Sequence, residues 1–498
     1  MDTAGKITRK VCYAAGDIYG GGAFMIFSLL FMFFLVVVEQ LDPLTATIVI
    51  FIGKLWDAVT DPIMGRISDK TRSRFGRRRI YFLLGIVPVF LSFFMLYYSF
   101  GIQSVAGKII YYTLAYMFFG TVFSIVMVPY NAILSDITSD YNERTSFTVI
   151  RMVFSGGAAL ICAVIPPLVI GAFGSETRGP QQIPGYLVMG LVFGAIFGAC
   201  WFVVFLGTKE RTDVPEPEKI TLVSWLSVFS NKAYKNFLGI FLSFQIAVDL
   251  VLALFVFYID IVVDMTADYT LIVGTLLVCS MLLMAVHGAA AKKKGKAFPL
   301  YVGIPVWMLS SLAFIWLKPG VPVVLLCILA ALIALGTSAG QLSTWSMLTD
   351  IYDIDEIRTG RRREGLYAGM ATFLRKFASG VAVLLMGFGL KAIGFDHLKY
   401  QEIKDKTVGF DPSKYAGEFL QDSAASGIKW MFVLIPIVLL AVTLFFAIRN
   451  KVTKRRFDAV LKGIEEFKAH GNIDALSGQE INDIQTVAGL EKNRLWRS

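Results

Sequence analysis

The sequence is short of charge. Of its 498 residues only 17% are charged, whereas 56% are hydrophobic, and the mean hydropathy is +0.65. Soluble domains carry about 25% charged residues, so this deficit excludes an ordinary soluble domain and favours an integral membrane protein. The net charge of +10 is concentrated in short loops, which indicates membrane orientation and argues against nucleic-acid binding.

Cysteine is also scarce. The five cysteines are Cys12, Cys162, Cys200, Cys279 and Cys327. They lie in or beside apolar segments without CxxC spacing, which excludes a disulfide framework and a zinc site. No nucleophile–base pair or metal cluster stands out, so we expect neither an enzyme nor a bound cofactor. The first apolar run is too long for a cleavable signal peptide and lacks an A-x-A-like exit.

Long apolar runs dominate the rest of the chain. A membrane-spanning helix requires about 20 mostly apolar residues. The sequence predicts twelve such spans, near 11–38, 44–66, 80–101, 109–136, 147–173, 184–207, 236–262, 269–291, 298–317, 321–350, 366–392 and 427–449. We expect an N-terminal six-helix half (1–207), a charge-rich linker (208–235) and a C-terminal six-helix half (236–450). The segment 451–498 is predicted to be a tail with an amphipathic helix that docks on the body of the protein or on the lipid surface.

Lysine and arginine predict the orientation of these spans. They cluster in loops 66–79, 292–296 and 351–365 and after Arg449, and the alternate loops contain few of them. The positive-inside rule therefore places both termini in the cytoplasm, with the chain as a multi-pass protein of the cell (inner) membrane. We expect a monomer surrounded by lipid.

Two segments suggest that the halves are repeats. The fourth and tenth spans end in acid-rich stretches followed by arginine, at 135–145 and 349–359. Parallel six-span repeats with a substrate site between them are the arrangement of the major facilitator fold. The expected fold is therefore an all-α membrane protein of that type.

Two carboxylates lie inside the second span. Asp57 and Asp61 are four residues apart, which puts them on one face of a helix. Because a charge in the hydrocarbon layer costs roughly 2.5–3.5 kcal/mol, the pair requires a partner. Sodium or a proton from solution is one candidate. Lys54, three residues earlier, is another, and a salt bridge with it that only stabilises packing is the alternative interpretation.

Lys376 lies in the eleventh span, in a stretch whose other residues are mostly small and apolar. It is a natural counter-charge for Asp57 and Asp61 across the two halves. The alternative is that its side chain snorkels towards an interface.

Five further residues are candidates for substrate binding. Arg151 can hold hydroxyls or a carboxylate, although pairing with Glu143 or Asp140 is equally consistent with the sequence. The other four are Asp17 in the glycine-rich first span, Asn131, Asp249 and Trp345. Each has an alternative role in helix packing.

The basic loop after the second span has a conformational interpretation. Asp69 can pair with arginines such as Arg77 and latch the two halves in one state. A role in setting topology alone is the alternative, and the two are compatible.

Four motifs together resemble the glycoside–pentoside–hexuronide:cation symporters, the melibiose permease-like family of the major facilitator superfamily. They are Lys54-Leu-Trp-Asp-x3-Asp-Pro-Ile-Met-Gly65, Thr71-Arg-Ser-Arg-Phe-Gly-Arg77, Val128-Pro-Tyr-Asn131 and the segment around Lys376. The resemblance implies cotransport of a small glycoside with sodium, lithium or protons. It assigns cation binding to Asp57, Asp61 and Ser124, a charge-partner role to Lys54 and Lys376, and sugar contact to Arg151.

The galactoside part of the family pattern is missing. Met127 and Asn131 stand where galactoside carriers of the family have an aspartate and a tryptophan, and Gly21 stands at the position of a first-span aspartate. The expected function is therefore symport of a small glycoside, pentoside or hexuronide with sodium or a proton by alternating access. A carrier of a lysolipid-like amphiphile and a non-transporting sugar sensor are the alternatives.

Overall fold

Helices account for all the regular secondary structure in the described part of the chain. The computed structural model describes residues 3–137, 141–174, 179–210, 227–263, 265, 268–318, 320–361, 363–394 and 423–496. Within these ranges, twelve helical spans are long and apolar enough to cross a membrane. The predicted number of spans is confirmed.

The first six spans occupy residues up to Gly207. The first is built from α1 (Thr3–Ala14) and α2 (Gly16–Ile26), and α2 continues through π-helical turns at Phe27–Phe31 and Phe34–Val38. The others are α3 (Pro43–Lys70), α4 (Arg79–Leu96), α5 (Val105–Ile137), α6 (Tyr141–Phe173) and α7 (Ile183–Gly207). The start of α3 is set by Asp42, whose side chain accepts from the Thr45 N–H, followed by a proline at the first helical position.

The second six spans are α8 (Lys232–Phe257, continued by a π-helical turn at Tyr258–Val263), α9 (Tyr269–Lys294), α10 (Phe298–Ala313), α11 (Val323–Thr359), α12 (Glu364–Ala392) and α13 (Ser423–Ile448). Helix α8 begins four residues before the expected span, because Asn231 caps it by accepting from two backbone N–H groups. A search for apolar runs misses this first turn because the turn is polar.

Helix pairing defines how the spans are arranged. In the first six, α4 packs on α7, α3 on α5 and α2 on α6. In the second six, α11 packs on α9 and α10, and α8 packs on α13. The main contacts between the two sets join α3 to α12, α6 to α9, and the Phe27–Phe31 turn to α8.

The contact between α3 and α12 is tightest far from the basic loops. We call the membrane side that carries loops 66–79 and 292–296 the basic face. Near the opposite face, Gly387 packs on Thr47 so closely that a Cβ at this glycine would lie 1.9 Å from Thr47 Oγ1. Near the basic face, a Cβ at Gly369 of the same helix would meet nothing within 4 Å.

This difference predicts that Gly387→Val will open the protein on the side opposite the basic face, because the new side chain cannot fit against Thr47. Spin labels placed at Leu44 and Lys391, at the same ends of α3 and α12, should move apart in electron paramagnetic resonance distance measurements. Gly369→Val is the matched control and should leave that distance unchanged. An unchanged distance in Gly387→Val would contradict the prediction.

The tail forms two helices that pack on the end of α11. The expected amphipathic helix is α14 (Lys454–His470), and α15 (Gly478–Ala488) follows it. The backbone N–H of Trp496 donates to the Ile357 carbonyl (2.7 Å), the Trp496 ring stacks on Phe467, and Lys468 pairs with Glu356 (2.7 Å). Of the two docking sites considered from the sequence, the transporter body or the lipid surface, the structure shows the first.

The second tail helix was not predicted, although its sequence carries a start signal. Ser477 and Glu480 form a capping box, in which each side chain bonds the other residue's backbone N–H. Hydrogen bonds from Lys462 and Ser477 lower the pKa of Glu480 to about 2. Glu480 therefore stays ionised and pairs with α14 at neutral pH.

Candidate functional site

The two carboxylates of α3 meet a lysine from the other half of the chain. The Lys376 ammonium on α12 lies 2.7 Å from Asp57 Oδ2 and 2.5 Å from Asp61 Oδ2. The three side chains are 17%, 24% and 21% exposed in the order Asp57, Asp61 and Lys376, so none is fully enclosed by protein. The structure thus brings together the three residues that the sequence placed in one site.

Two hydroxyl groups complete this group of oxygens. Ser124 on α5 donates to Asp61 Oδ1 at 2.6 Å and lies 3.3 Å from Asp57 Oδ1. Its hydroxyl is 3.1 Å from Thr60 Oγ1, one helical turn along from Asp57. Helix α3 therefore supplies three of the four oxygen-bearing side chains, and α5 supplies the fourth.

We call Asp57, Asp61, Ser124, Thr60 and Lys376 the carboxylate cluster. Its ligands are all hard oxygens, the donor type that suits sodium and other hard cations. Among the described residues, no group of three or more His, Cys, Asp or Glu side chains that could hold a metal ion is found. The ammonium of Lys376 contacts both carboxylates, so a small cation entering the cluster must compete with it.

Lys54 reaches across the halves instead of pairing with Asp57. Its ammonium is 2.5 Å from Ser379 Oγ on α12, and this hydroxyl in turn hydrogen-bonds Asp249 on α8. Arg375 lies on the other side of Asp249, with 3.6 Å between the guanidinium and Asp249 Oδ1. We call Lys54, Ser379, Asp249 and Arg375 the relay cluster. The relay cluster is a second polar contact between α3 and α12.

Arg151 pairs with Asp17. Its guanidinium makes two bonds to the carboxylate, 2.7 Å from Nε and 3.3 Å from the terminal nitrogen, and donates to Asn131 Oδ1 at 2.6 Å. The guanidinium also lies over the ring of Tyr130, 4.7 Å from its centre. Three candidate substrate residues therefore form one cluster between α2, α5 and α6. The alternative partners, Asp140 and the Glu143 side chain, fall outside the described part of the structure.

Trp345 has no described hydrogen bond or ion pair with these clusters. Trp345 is 48% exposed and contacts Phe241 edge-on. The side chain of Asp69 is outside the described part of the structure. The backbone N–H groups of Arg77, Arg78 and Arg79 donate to the carboxylate of Glu210, just after α7. The end of the basic loop is thus held by a residue just after the sixth span.

Four residues in this region were not singled out by sequence reasoning. Thr60 lies on the helix that carries the carboxylates, so its spacing from Asp57 was a usable signal. Ser379 follows Lys376 by three residues and shares its helical face. Arg375 adjoins Lys376 in the sequence. Glu210, which caps α4, carried no local signal because the helix it binds lies more than 100 residues earlier.

Comparisons with known proteins agree on the type of protein. The model of the MFS/sugar transport protein family matches residues 12–454. An uncharacterized symporter of Synechocystis is 27% identical, covering 78% of this chain and 86% of the relative. The sodium-dependent lysophosphatidylcholine symporter 1-A of Danio rerio is 26% identical, covering 78% and 79%. The isoprimeverose transporter of Lactiplantibacillus pentosus is 24% identical, covering 78% and 81%.

A solved structure shows the same fold at much lower sequence similarity. A bacterial homolog of the human lysosomal transporter Spinster, in an inward-facing and unoccupied conformation, matches with a TM-score of 0.61 at 12% identity. The match covers 90% of this chain and 97% of that structure. At this identity the likeness concerns the fold alone.

Proposed function

Because this chain belongs to the MFS/sugar transport protein family, we propose that it is a cation-coupled symporter of the glycoside–pentoside–hexuronide:cation type. Family membership and the twelve spans make it a multi-pass membrane transporter of the major facilitator fold and not an enzyme. Symport is also the activity named for two of the relatives. The cargo, the coupling ion and the residue roles below are proposals.

The carboxylate cluster is the observation that carries this proposal. Asp57 and Asp61 belong to one half, and the lysine that pairs with both belongs to the other. A sodium ion, a lithium ion or a proton that binds the carboxylates takes over the role of the Lys376 ammonium. The electrostatic attraction between α3 and α12 then weakens, which couples cation binding to movement of the halves.

The substrate side of the mechanism uses the other polar groups. Asp17, Arg151 and Asn131 offer donors and acceptors from the first half, and Asp249 and Trp345 do so from the second. A site assembled from both halves binds its cargo fully only when they are correctly placed, as alternating access requires. We propose a small glycoside, pentoside or hexuronide as the cargo, in keeping with the isoprimeverose relative.

The topology follows from the charges of the loops. We propose that the basic face is cytoplasmic, that both termini lie there and that the chain resides as a monomer in the cell (inner) membrane. We further propose residues 1–207 and 236–450 as the moving halves, joined by 208–235, and 451–498 as a cytoplasmic tail. Latching of the halves by Asp69 and Arg77 belongs to the same proposal.

A lysolipid-like amphiphile is the second candidate cargo. The Danio rerio relative is named for lysophosphatidylcholine, and its identity to this chain is similar to that of the sugar-carrying relative. The carboxylate cluster serves cation coupling for either cargo. A sugar sensor that transports nothing is the third candidate, and counterflow of a bound sugar would exclude it.

The purified protein in liposomes tests the proposal directly. We expect an inward sodium or proton gradient to drive uptake of at least one radiolabelled sugar from a panel of glycosides, pentoses and uronates. Lysophosphatidylcholine should not accumulate under the same gradients. Gradient-driven lysophosphatidylcholine uptake without any sugar uptake would replace the sugar with a lipid cargo, and sugar binding without counterflow would indicate a sensor.

A further inference from the structure

Taken together, the polar clusters described above carry no net charge, although the carboxylate cluster by itself carries minus one and the relay cluster plus one. The carboxylate cluster holds Asp57, Asp61 and Lys376, the relay cluster holds Lys54, Asp249 and Arg375, and Asp17 pairs with Arg151. These are four carboxylates and four cationic groups. Two further described pairs, Lys108 with Glu39 and Lys296 with Asp350, lie nearer the helix ends and are balanced in themselves.

A coupling cation therefore neutralises the carboxylate cluster and leaves the plus one of the relay cluster without a compensating charge among the described groups. With one sodium ion or proton bound, the eight groups carry a total charge of plus one. When the halves close around the cargo, water is excluded and an uncompensated charge becomes costly. A cargo with one negative charge removes this cost, whereas a neutral or zwitterionic cargo leaves it in place.

Arg375 is the cationic group best placed to receive such a cargo. Its single described ion pair, with Asp249, is long at 3.6 Å, and its buried Nε has no hydrogen-bond partner in the described structure. A guanidinium offers five N–H donors in a plane that suits a carboxylate. Arg151, by comparison, is bound tightly to Asp17 and Asn131 at 2.6–3.3 Å.

The position of Arg375 is also suitable. Its guanidinium lies over the ring of Phe24, 5.4 Å from the centre, so it bridges the second half to α2 of the first. Phe24 is seven residues after Asp17, on the same face of the first span. Gln245, one turn before Asp249 on α8, is 2% exposed and its Oε1 has no described partner. It offers a buried acceptor for a cargo hydroxyl.

We propose that the cargo is a monoanionic sugar acid whose carboxylate binds Arg375, and that one cation accompanies each molecule so that transport moves no net charge. This inference rests on the symport proposed above and specifies its substrate. A phosphate monoester fits less well, because its charge of about −1.5 to −2 at neutral pH overcompensates one cation.

Matched uptake measurements on the wild-type protein test the charge balance. Proteoliposomes under a sodium or proton gradient are given either methyl glucuronide, which carries a carboxylate, or methyl glucoside, which does not. Each uptake is measured with and without a membrane potential imposed by potassium and valinomycin. We expect the glucuronide to be taken up at least about tenfold faster, as for a charge-assisted bidentate contact. Its rate should not change when the interior is made negative.

Arg375→Gln tests the assigned residue. It should raise the KM for the glucuronide by about tenfold or more, and uptake of the glucoside should appear and respond to the potential. Binding of radioactive sodium should be retained, which shows that the variant is folded. Arg375→Lys keeps the charge and loses the planar fork, so its uptake should stay insensitive to potential with a raised KM.

Two different failures are distinguishable. If a cation gradient drives uptake of the neutral glucoside in the wild type, and a negative interior accelerates it, the anionic cargo is wrong and the symport stands. If no gradient drives uptake of any sugar, both proposals are wrong. Uptake by the wild-type protein with and without the imposed membrane potential tests the proposed anionic cargo even if the variants do not fold.

Discussion

Asp61→Asn is expected to abolish cation-stimulated uptake in a protein that still folds. Asp61 accepts a hydrogen bond from Ser124 at 2.6 Å and pairs with Lys376 at 2.5 Å. Asparagine keeps the size and can still accept from the hydroxyl, but it cannot supply the negative charge that a cation requires. Asp57→Asn should have the same effect, because Asp57 supplies the other carboxylate at 2.7 Å from Lys376.

The measurement is uptake into proteoliposomes with and without an inward sodium or proton gradient, at matched protein content. Asp42→Asn is the matched control, since it changes an aspartate on the same chain segment whose helix-capping role asparagine fills equally well. Ser124→Ala should weaken the apparent cation affinity without abolishing stimulation, because it removes one neutral ligand. Normal stimulation in both carboxylate variants would show that the cation binds elsewhere.

The carboxylate cluster could be found from the sequence because its signals are local or follow from burial. Asp57 and Asp61 sit four residues apart in an apolar helix, so helical periodicity alone puts them on one face. Lys376 stands in a small, apolar stretch, where a charge is tolerated only with a partner. The twelve spans are equally visible, since each is defined by a continuous run of apolar residues.

The relay cluster could not be found in the same way. The nearest carboxylate to Lys54 in sequence is Asp57, three residues on, yet the ammonium contacts Ser379, more than 300 residues away. Similarly, Arg151 pairs with Asp17 on α2, more than 100 residues away in sequence. In both cases the packing of helices from distant parts of the chain decides the partner, and a single sequence does not show which helices pack together.

Arg151→Ala is expected to lower the free energy of unfolding by about 3–5 kcal/mol, the usual cost of removing one partner from a buried ion pair. Asp17 is only 5% exposed, and its carboxylate takes two hydrogen bonds from this arginine. Without them the charge remains buried among Tyr130 and the glycines of α2. Thermal unfolding in detergent, followed by a thiol-reactive dye, should show a clear fall in the melting temperature.

The double variant Asp17→Ala with Arg151→Ala separates support of the fold from a role in transport. Removing both charges leaves no unpaired charge, so most of the lost stability should return. Uptake should remain absent, because the donors and acceptors proposed to hold the cargo in the first half are gone. Full recovery of uptake together with stability would mean that the pair only packs helices, and the cargo would then depend on the second half and Arg375.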